Sequence, residues 1–437
     1  MCADTLCLLN NFCTFAGIFS DTMKAISRTV WILALVSLFT DMASEMLYPI
    51  MPIYLKTIGF SVALIGILEG IAEAVAGLSK GYFGKLSDSK GRRAPFIRLG
   101  YAFSAISKPM MALLVYPIWI FFARTLDRIG KGIRTGARDA MLSDEATPQT
   151  KGKVFGFHRG MDTMGAVIGP SLALLFLYFF PGHYKALFLI AFIPGAAAVA
   201  TTLLVKDKKR ADVANGGAKK GVGVSVAGKP DRVSFFSFLR YWKSAPAAYR
   251  KLVIGLLFFA LFNSSDLFLL LKAREAGLDD TAVIGVYIFY NLIYALFSLP
   301  LGVLADKIGL KRIFLCGLLL FAAVYFGMSI SHSLFAIGAL FFLYGVYAAA
   351  TEGVSKAWIS NITDKRDTAT AIGAYTAFQS LCTMLASTLT GFVWYRFGAT
   401  AAFLLTGSAT IIAAIYLLVV KIAPFQPKKQ VLLEDKL

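Results

Sequence analysis

Ionisable residues recur at helical spacing inside the apolar stretches of this chain. Asp41 and Glu45 stand four residues apart, and Glu69 and Glu73 repeat the spacing in the next apolar stretch. Residues four apart share one face of a helix, so each pair sets two carboxyl groups side by side. Because an ionisable group at bilayer depth is costly, it tends to mark a solute pathway or a proton relay. We therefore predict that one of these acids binds a proton.

The fourth apolar stretch carries a basic stripe. Its charged residues follow one another mostly at spacings of three or four, and they are Arg124, Asp127, Arg128, Lys131, Arg134 and Arg138, with Asp139 beside the last. A buried charge left without a partner costs several kcal/mol, so counter-ions must lie near. The pattern predicts a buried charge network in which Arg124 and Asp127 act together with the proton-binding acids.

A smaller group of charges begins the fifth apolar stretch and consists of His158, Arg159 and Asp162. Together with Arg128, Arg138 and Asp139, it is predicted to form one charged cluster. Histidine titrates near neutral pH and can relay protons. A structural hydrogen bond is the commoner role of a lone histidine, and both roles stay open for His158.

The elements that must position these residues are membrane helices. Hydrophobic residues make up 57% of the chain and the mean hydropathy is +0.68, which excludes a water-soluble globule. About twelve apolar runs of about 20 residues, the length of a spanning helix, follow one another. The fourth is predicted at 119–133 and the seventh at 252–271. We predict an all-α integral membrane protein with twelve transmembrane helices.

One loop sequence occurs twice, at 84–93 and again at 302–312. A repeat half a chain apart is typical of internal duplication, and duplicated halves are typical of membrane transporters. We predict two pseudo-symmetric six-helix bundles. The predicted segments are a cytoplasmic N-terminal extension at 1–26, bundles at 27–205 and 250–421, a basic cytoplasmic linker at 206–249, and a cytoplasmic tail at 422–437. An alternative for the first segment is that translation starts at Met23.

The net charge of +19 does not indicate a nucleic-acid-binding protein, because little solvated surface remains to form a basic face. Basic residues collect instead in the linker and in loops of one side, which predicts that both termini are cytoplasmic. The aromatic and basic end of the linker, residues 235–250, indicates either an interfacial helix or a loop that binds anionic lipids. The five cysteines show no metal or redox spacing, so we predict no disulfide, metal site or cofactor.

The repeated loop resembles the signature that joins helices two and three, and helices eight and nine, in the major facilitator superfamily. The resemblance covers the whole chain and implies a central cavity that opens alternately to either side of the membrane. In the family, the loop aspartate latches the cytoplasmic side closed. For Asp88 the partner would be the positive end of a helix beginning near Thr368. The latch residues implied are Gly84, Asp88, Gly91, Arg92, Arg134, Asp306, Gly309 and Arg312.

The first span resembles the drug:proton antiporter branch of that superfamily. Glu45, Pro49 and Pro52 match its acid-x-x-x-Pro-x-x-Pro pattern, in which the acid contributes to proton or substrate binding. The fifth span matches a Gly-x-x-x-Gly-Pro element of antiporters, where small residues permit tight helix packing and proline bends the helix. The matching residues are Gly165, Gly169 and Pro170.

Arg124 is similar to the fourth-helix arginine that tunes a nearby acid in proton-coupled antiporters. The likeness is incomplete, because Asp127 and Arg128 stand where that branch commonly has glutamine and glycine. The predicted substrate cavity has fewer charged side chains than the predicted proton-binding region. Its predicted residues are Tyr48, Asn263, Asp266, Tyr290, Asn291 and Gln379. Aromatic and amide groups suit a small amphipathic organic compound, although such residues also serve simply to pack helices.

These patterns predict a secondary transporter, a monomer in contact with membrane lipids, that exports a small organic compound in exchange for protons. The proton gradient supplies the energy in place of a cofactor. Proton-coupled uptake of a metabolite and export of a divalent metal are the alternatives. An anion exchanger would be expected to place cations on the first and seventh spans, where none are found. An enzyme is not predicted, because no nucleophile–base set, metal motif or phosphate loop occurs.

Overall fold

The computed structural model describes residues 26–48, 50–51, 54–55, 58–114, 116–207, 237–331 and 333–422. The described part folds into thirteen α-helices, α1 Arg28–Glu45, α2 Val62–Lys90, α3 Ala94–Leu113, α4 Pro117–Asp144, α5 Lys151–Phe179, α6 Tyr184–Thr202, α7 Ser237–Ser244, α8 Ala247–Ala260, α9 Leu267–Glu275, α10 Asp280–Ile308, α11 Leu310–Ile330, α12 Leu334–Asn361 and α13 Thr368–Val419. Most of the predicted N-terminal extension, the linker from 208 to 236, and the tail beyond 422 lie outside the described residues.

Helix length and composition match the thickness of a membrane. Six of the described helices are long and apolar enough to cross one. The longest, α13, has 52 residues, which is about twice the length that a bilayer requires. It bends at Gly398, whose φ of +86° is a conformation that glycine adopts without a steric penalty. The backbone is not helical at this residue, so α13 consists of two successive helices, 368–397 and 399–419, each long enough for one span.

The seventh span differs from its prediction. Residues 252–271 were expected to form one helix, whereas α8 ends at Ala260 and α9 begins at Leu267. Ser265 explains part of the break, because its hydroxyl accepts a hydrogen bond from the backbone N–H of Leu267 at 3.3 Å. Serine and aspartate side chains that bond nearby backbone groups compete with the helix for them. The fourth span also differs, since α4 continues to Asp144.

The helices form two halves, α1–α6 and α8–α13. Within the halves, α1 packs on α5, α3 on α4, and α11 on α12. Between the halves, α5 packs along α10 and α2 packs along α13. The short helix α7 precedes the second half, and its Phe238 is buried beside Phe378, with the ring centroids 6.5 Å apart. Whether α7 lies in the membrane interface stays a prediction.

Candidate functional site

A cavity of about 500 Å³ lies between the two halves. Its walls come from α1, α4 and α5 on one side and from α10, α12, α13 and the segment between α8 and α9 on the other. It brings together most of the residues that the sequence singled out, namely Asp41, Glu45, Tyr48, Arg124, Asp127, Arg128, Arg134, Arg159, Asp162, Asn263, Asp266, Tyr290, Asn291 and Gln379. The side chains of Glu69 and Glu73 lie outside what the structure describes.

The first-half wall is the basic stripe of α4. Asp127 neutralises part of it, because its carboxylate lies 2.8 Å from Lys108 Nζ and 3.6 Å from Arg124 Nη1. Lys108 is 1% exposed and projects from α3. Sequence reasoning missed this lysine, although a single lysine in an otherwise apolar span was a signal of a buried partner.

Two carboxyl groups meet at the edge of this wall. The side chains of Asp41 on α1 and Asp162 on α5 lie close enough to share a hydrogen bond. Asp162 also lies 2.6 Å from Arg159 Nη1. An ionised carboxylate can only accept hydrogen bonds, so two carboxyl groups that bond to each other must hold a proton between them. The Asp41–Asp162 pair is therefore a candidate proton site within the cavity.

The second-half wall is rich in tyrosine. Tyr287 donates a hydrogen bond of 2.8 Å to Glu45 Oε2 across the cavity, and its ring stacks on that of Tyr48 at 6.3 Å between centroids. Tyr290 donates a hydrogen bond to Asp266. Glu45 is thus held by a group of the opposite half, whereas Asp41 is held within its own half. The aromatic faces offer a surface for the organic part of a solute.

Part of the predicted charged cluster lies beside the cavity and bridges the halves. Asp139 forms ion pairs with Arg138 Nη2 at 2.9 Å and with Lys356 Nζ of α12 at 2.8 Å. His158 is 3% exposed, does not line the cavity, and lies 2.8 Å from Ser37 Oγ through its Nε2. This burial and single hydrogen-bond partner favour the structural role of the histidine over the relay.

The repeated loops lie where the two halves touch, and each aspartate reaches the first turn of a helix in the other half. Asp88 Oδ2 accepts from the backbone N–H and the hydroxyl of Thr370, both at 2.7 Å. Asp306 accepts from the backbone N–H groups of Gly152 and Lys153, both at 2.7 Å. Helix N-termini attract negative charge, so both contacts join the two halves on this side of the protein, as the predicted latch requires.

Five other predicted latch residues belong to the two repeated loops. Gly84 lies against the backbone of Ala369, and Gly91 and Gly309 adopt positive φ at the loop turns, +64° and +108°. Arg92 and Arg312 are exposed.

Two arginines differ from their predicted places. Arg93, which was not among the predicted latch residues, pairs with Asp88 at 3.4 Å, whereas the predicted latch residue Arg92 is exposed. Arg134 lies on the cavity wall, where its guanidinium stands 4.4 Å from the centroid of the Tyr101 ring.

The Gly-Pro element of α5 contacts α1. A side chain at Gly165 would meet the backbone oxygen of Leu38 at 2.5 Å, and one at Gly169 would meet that of Met42 at 2.5 Å. The two helices therefore approach as closely as backbones permit. Pro170 is buried within α5. The close contact fixes α5, and with it Asp162, against the helix that carries Asp41.

Replacing Asp88 with Asn is expected to loosen the closed side. The amide keeps the shape of the carboxylate but loses its charge, and a hydrogen bond to a charged group is worth about 1 kcal/mol more than a neutral one. Hydrogen exchange of the backbone amides at the start of α13 should therefore become about fivefold faster. Asp279→Asn is the matched control, because Asn caps a helix as well as Asp does. Unchanged exchange in Asp88→Asn would remove the aspartate from the latch.

Known proteins of similar sequence and fold identify the family of this chain. The family model described as Major Facilitator Superfamily matches residues 33–289 and 268–436. An uncharacterized MFS-type transporter of Methanocaldococcus jannaschii is 31% identical over 381 residues, which are 86% of this chain and 90% of the relative. A multi-drug resistance efflux pump PmrA homolog of Lactococcus lactis is 22% identical over 385 residues, 84% of this chain and 90% of that protein. The human organic anion transporter MFSD10 (TETRAN) matches with a TM-score of 0.71 at 16% identity, over 89% of this chain and 99% of the solved chain.

Proposed function

Because the chain belongs to the Major Facilitator Superfamily, whose members are membrane transporters and not enzymes, we propose that it is a proton-coupled transporter of a small organic compound. Membership confirms the predicted fold, an all-α protein with twelve transmembrane helices in two halves. It also confirms a multi-pass membrane protein. Proton coupling, the solute and the direction of transport are the proposed parts.

The hydrogen bond between Asp41 and Asp162 carries the proposal. It holds a proton inside the cavity, next to the wall that a solute would touch. In the proposed cycle, Asp41 takes up its proton on one side of the membrane and releases it on the other as the two halves rock. The proton then biases solute binding through charge. Arg159, at 2.6 Å from Asp162, supplies Asp162 with a counter-ion, so we assign the transported proton to Asp41.

Export by proton antiport, which the sequence predicted, remains the second candidate. The acid and proline pattern around Glu45 and the likeness to the efflux pump homologue of Lactococcus lactis favour it. Antiport requires that the proton and the solute compete, which suits a cationic or neutral solute. Divalent-metal export has less support, because the described residues hold no group of three or more His, Cys, Asp or Glu side chains that could bind a metal.

We place the protein in the cell membrane, which is the inner membrane in a Gram-negative cell, as a monomer with both termini in the cytoplasm. The basic loops support this orientation, because Lys and Arg are retained on the cytoplasmic side. The Asp88 and Asp306 contacts then close the cytoplasmic side. The described conformation is accordingly one in which the cavity is sealed from the cytoplasm.

The test is solute-driven proton movement in vesicles that contain the purified full-length protein. A panel of tetraphenylphosphonium, glycerol, benzoate, citrate and glycerol 3-phosphate is added while the internal pH is followed. A pH change that requires both the protein and one solute class supports the proposal. If a radiolabelled member of the panel enters only those vesicles that contain the protein while the pH stays constant, the proton coupling is wrong.

Glu45→Gln is expected to keep proton coupling and to slow transport by about fivefold. The amide still accepts the hydrogen bond that Tyr287 donates at 2.8 Å, but it loses the charge that strengthens the bond by about 1 kcal/mol. The measurement is the initial rate of solute-driven proton movement, with Tyr287→Phe as the companion variant that removes the same bond from the other side. Complete loss of coupling in Glu45→Gln alone would move the proton site to Glu45.

A further inference from the structure

The first-half wall of the cavity carries more positive than negative charge. A volume of about 850 Å³ overlaps the cavity and shares this wall. Eight lysine and arginine side chains line it, against three carboxyl groups, those of Asp41, Asp162 and Glu352. Low-dielectric walls with one sign of charge concentrate solutes of the opposite sign. This part of the lining therefore favours a negatively charged solute, whereas the smaller cavity is also lined by the carboxyl groups of Glu45, Asp127 and Asp266.

Lys131 and Arg134 differ in their partners from three other cations of this wall. Arg138, Arg159 and Lys356 each lie within 4.0 Å of a carboxylate. Lys131 and Arg134 have no such ion pair among the described residues. Arg134 is 5% exposed, its Nη1 donates to Ser104 Oγ at 2.5 Å, and its Nε has no hydrogen-bond partner in the described part of the chain. An unpaired guanidinium in a buried wall is costly unless an anion reaches it.

Asp41 is the group that links these cations to the proton. Both Lys131 and Arg134 interact electrostatically with Asp41. When Asp41 holds the proton that it shares with Asp162, it is neutral and supplies no counter-charge. When it releases the proton, it neutralises part of the wall itself. When Asp41 is protonated, Lys131 and Arg134 therefore need an external anion as their counter-charge. When Asp41 is ionised, its own carboxylate supplies that counter-charge.

We propose that Lys131 and Arg134 bind the anionic group of a small organic acid, and that this anion crosses the membrane together with the proton on Asp41. The proposal rests on the proposed function and adds the solute class and the sense of coupling. Arg134 supplies a planar fork that suits a carboxylate or a phosphate group. The tyrosines of the opposite wall, Tyr287 and Tyr290, lie where the organic part of the solute would pack.

The sign of the pH dependence follows from the groups that face Asp41. They are Asp162 of α5, Lys131 and Arg134 of α4, and Glu45 of the same helix. Asp162 and Glu45 favour retention of the proton, whereas the two cations favour its release. Anion affinity is highest while Asp41 is protonated. It should fall as the pH rises and Asp41 ionises.

The experiment measures binding of benzoate, citrate and glycerol 3-phosphate to the purified full-length protein at several pH values, with tetraphenylphosphonium and glycerol for comparison. At least one anion is expected to bind, and Lys131→Gln and Arg134→Gln should each weaken it about tenfold or more. Lys131→Arg, which keeps the charge, should restore most of the affinity, whereas Arg134→Lys, which keeps the charge but loses the planar fork, should restore only part of it. Lys185→Gln, at an exposed lysine of α6 outside the cavity, is the matched control and should leave it unchanged.

Three results would overturn the proposal. The first is an affinity that is unaffected by Lys131→Gln and Arg134→Gln in folded protein. The second is an anion affinity that rises with pH. The third is a pH change in vesicles driven by tetraphenylphosphonium or glycerol while all three anions are inert, which would leave the proposed proton coupling standing. Anion binding without proton movement would instead contradict the proposed function itself.

Discussion

Replacing Asp41 with Asn is expected to abolish solute accumulation driven by a pH gradient while leaving solute exchange intact. The amide resembles a permanently protonated carboxyl group, so the variant can still bind solute and change conformation. It cannot take up or release a proton. With one proton per solute, a gradient of one pH unit supports an accumulation of at most about tenfold. The variant should show none.

The measurement compares accumulation with counterflow in the same vesicles. Counterflow of labelled solute against unlabelled solute requires binding and conformational change but no net proton movement. Wild type should perform both, and Asp41→Asn should perform counterflow alone. If Asp41→Asn loses both activities in folded protein, the aspartate is needed for binding or structure, and the proton must be held elsewhere. Full accumulation in the variant would exclude Asp41 as the coupling group.

Replacing Gly302 with Ala is expected to reduce transport about tenfold or more, because the latch side can no longer close. A Cβ atom at Gly302 would collide with the backbone oxygen of Gly152 and lie 3.2 Å from the Cα atom of Gly156. Two backbones meet there, so no side chain can move aside. Overpacking of this kind costs about 1–3 kcal/mol. The strain applies only to the closed arrangement of α5 and α10.

Gly285→Ala is the matched control, because Gly285 lies on the same helix, α10, with no atom within 4 Å of the added Cβ. It should transport normally. A cysteine placed at Thr383, which lines the cavity, should become more reactive from the latch side in Gly302→Ala than in wild type or Gly285→Ala. Equal reactivity in the three proteins would show that close packing of α5 on α10 does not limit opening on this side.

Much of the architecture could be predicted from sequence because membrane-spanning helices can be recognised from their apolar composition. A run such as α11 is apolar over its whole length, and its interpretation needs no knowledge of its neighbours. The break between α8 and α9 was not predicted. It depends on local competition, in which the hydroxyl of Ser265 bonds the backbone of Leu267. Hydropathy averages over such a short polar segment and does not detect it.

The candidate site was predictable as a set of residues but not as a set of pairs. The sequence indicated Asp41 and Asp162 separately, one as a membrane acid and one as part of a charged cluster. Their meeting depends on how α1 packs against α5, which the glycines at 165 and 169 permit. Lys108 and Arg93 were not selected, because their importance comes from the aspartates that fold against them. The spacing of charged residues within one segment does not indicate which residues of a distant segment they contact.

The latch illustrates the same limit. The resemblance placed Asp88 near the start of a helix in the second half, and the structure has it at Thr370. The resemblance did not indicate which of the two loop arginines would be buried. Arg92 and Arg93 are neighbours of the same type, and only the path of the loop exposes the first and buries the second. Arg134 likewise belongs to the cavity because of the face of α4 on which it lies.

The central claim is that the Asp41–Asp162 pair holds the transported proton, and infrared spectroscopy of the purified protein tests it most directly. A neutral carboxyl group has a C=O stretching band distinct from that of a carboxylate. At neutral pH the wild type should show such a band, Glu45→Gln should keep it, and Asp41→Asn should lose it. A band that persists in Asp41→Asn and disappears in Glu45→Gln would place the proton on Glu45 and contradict the account.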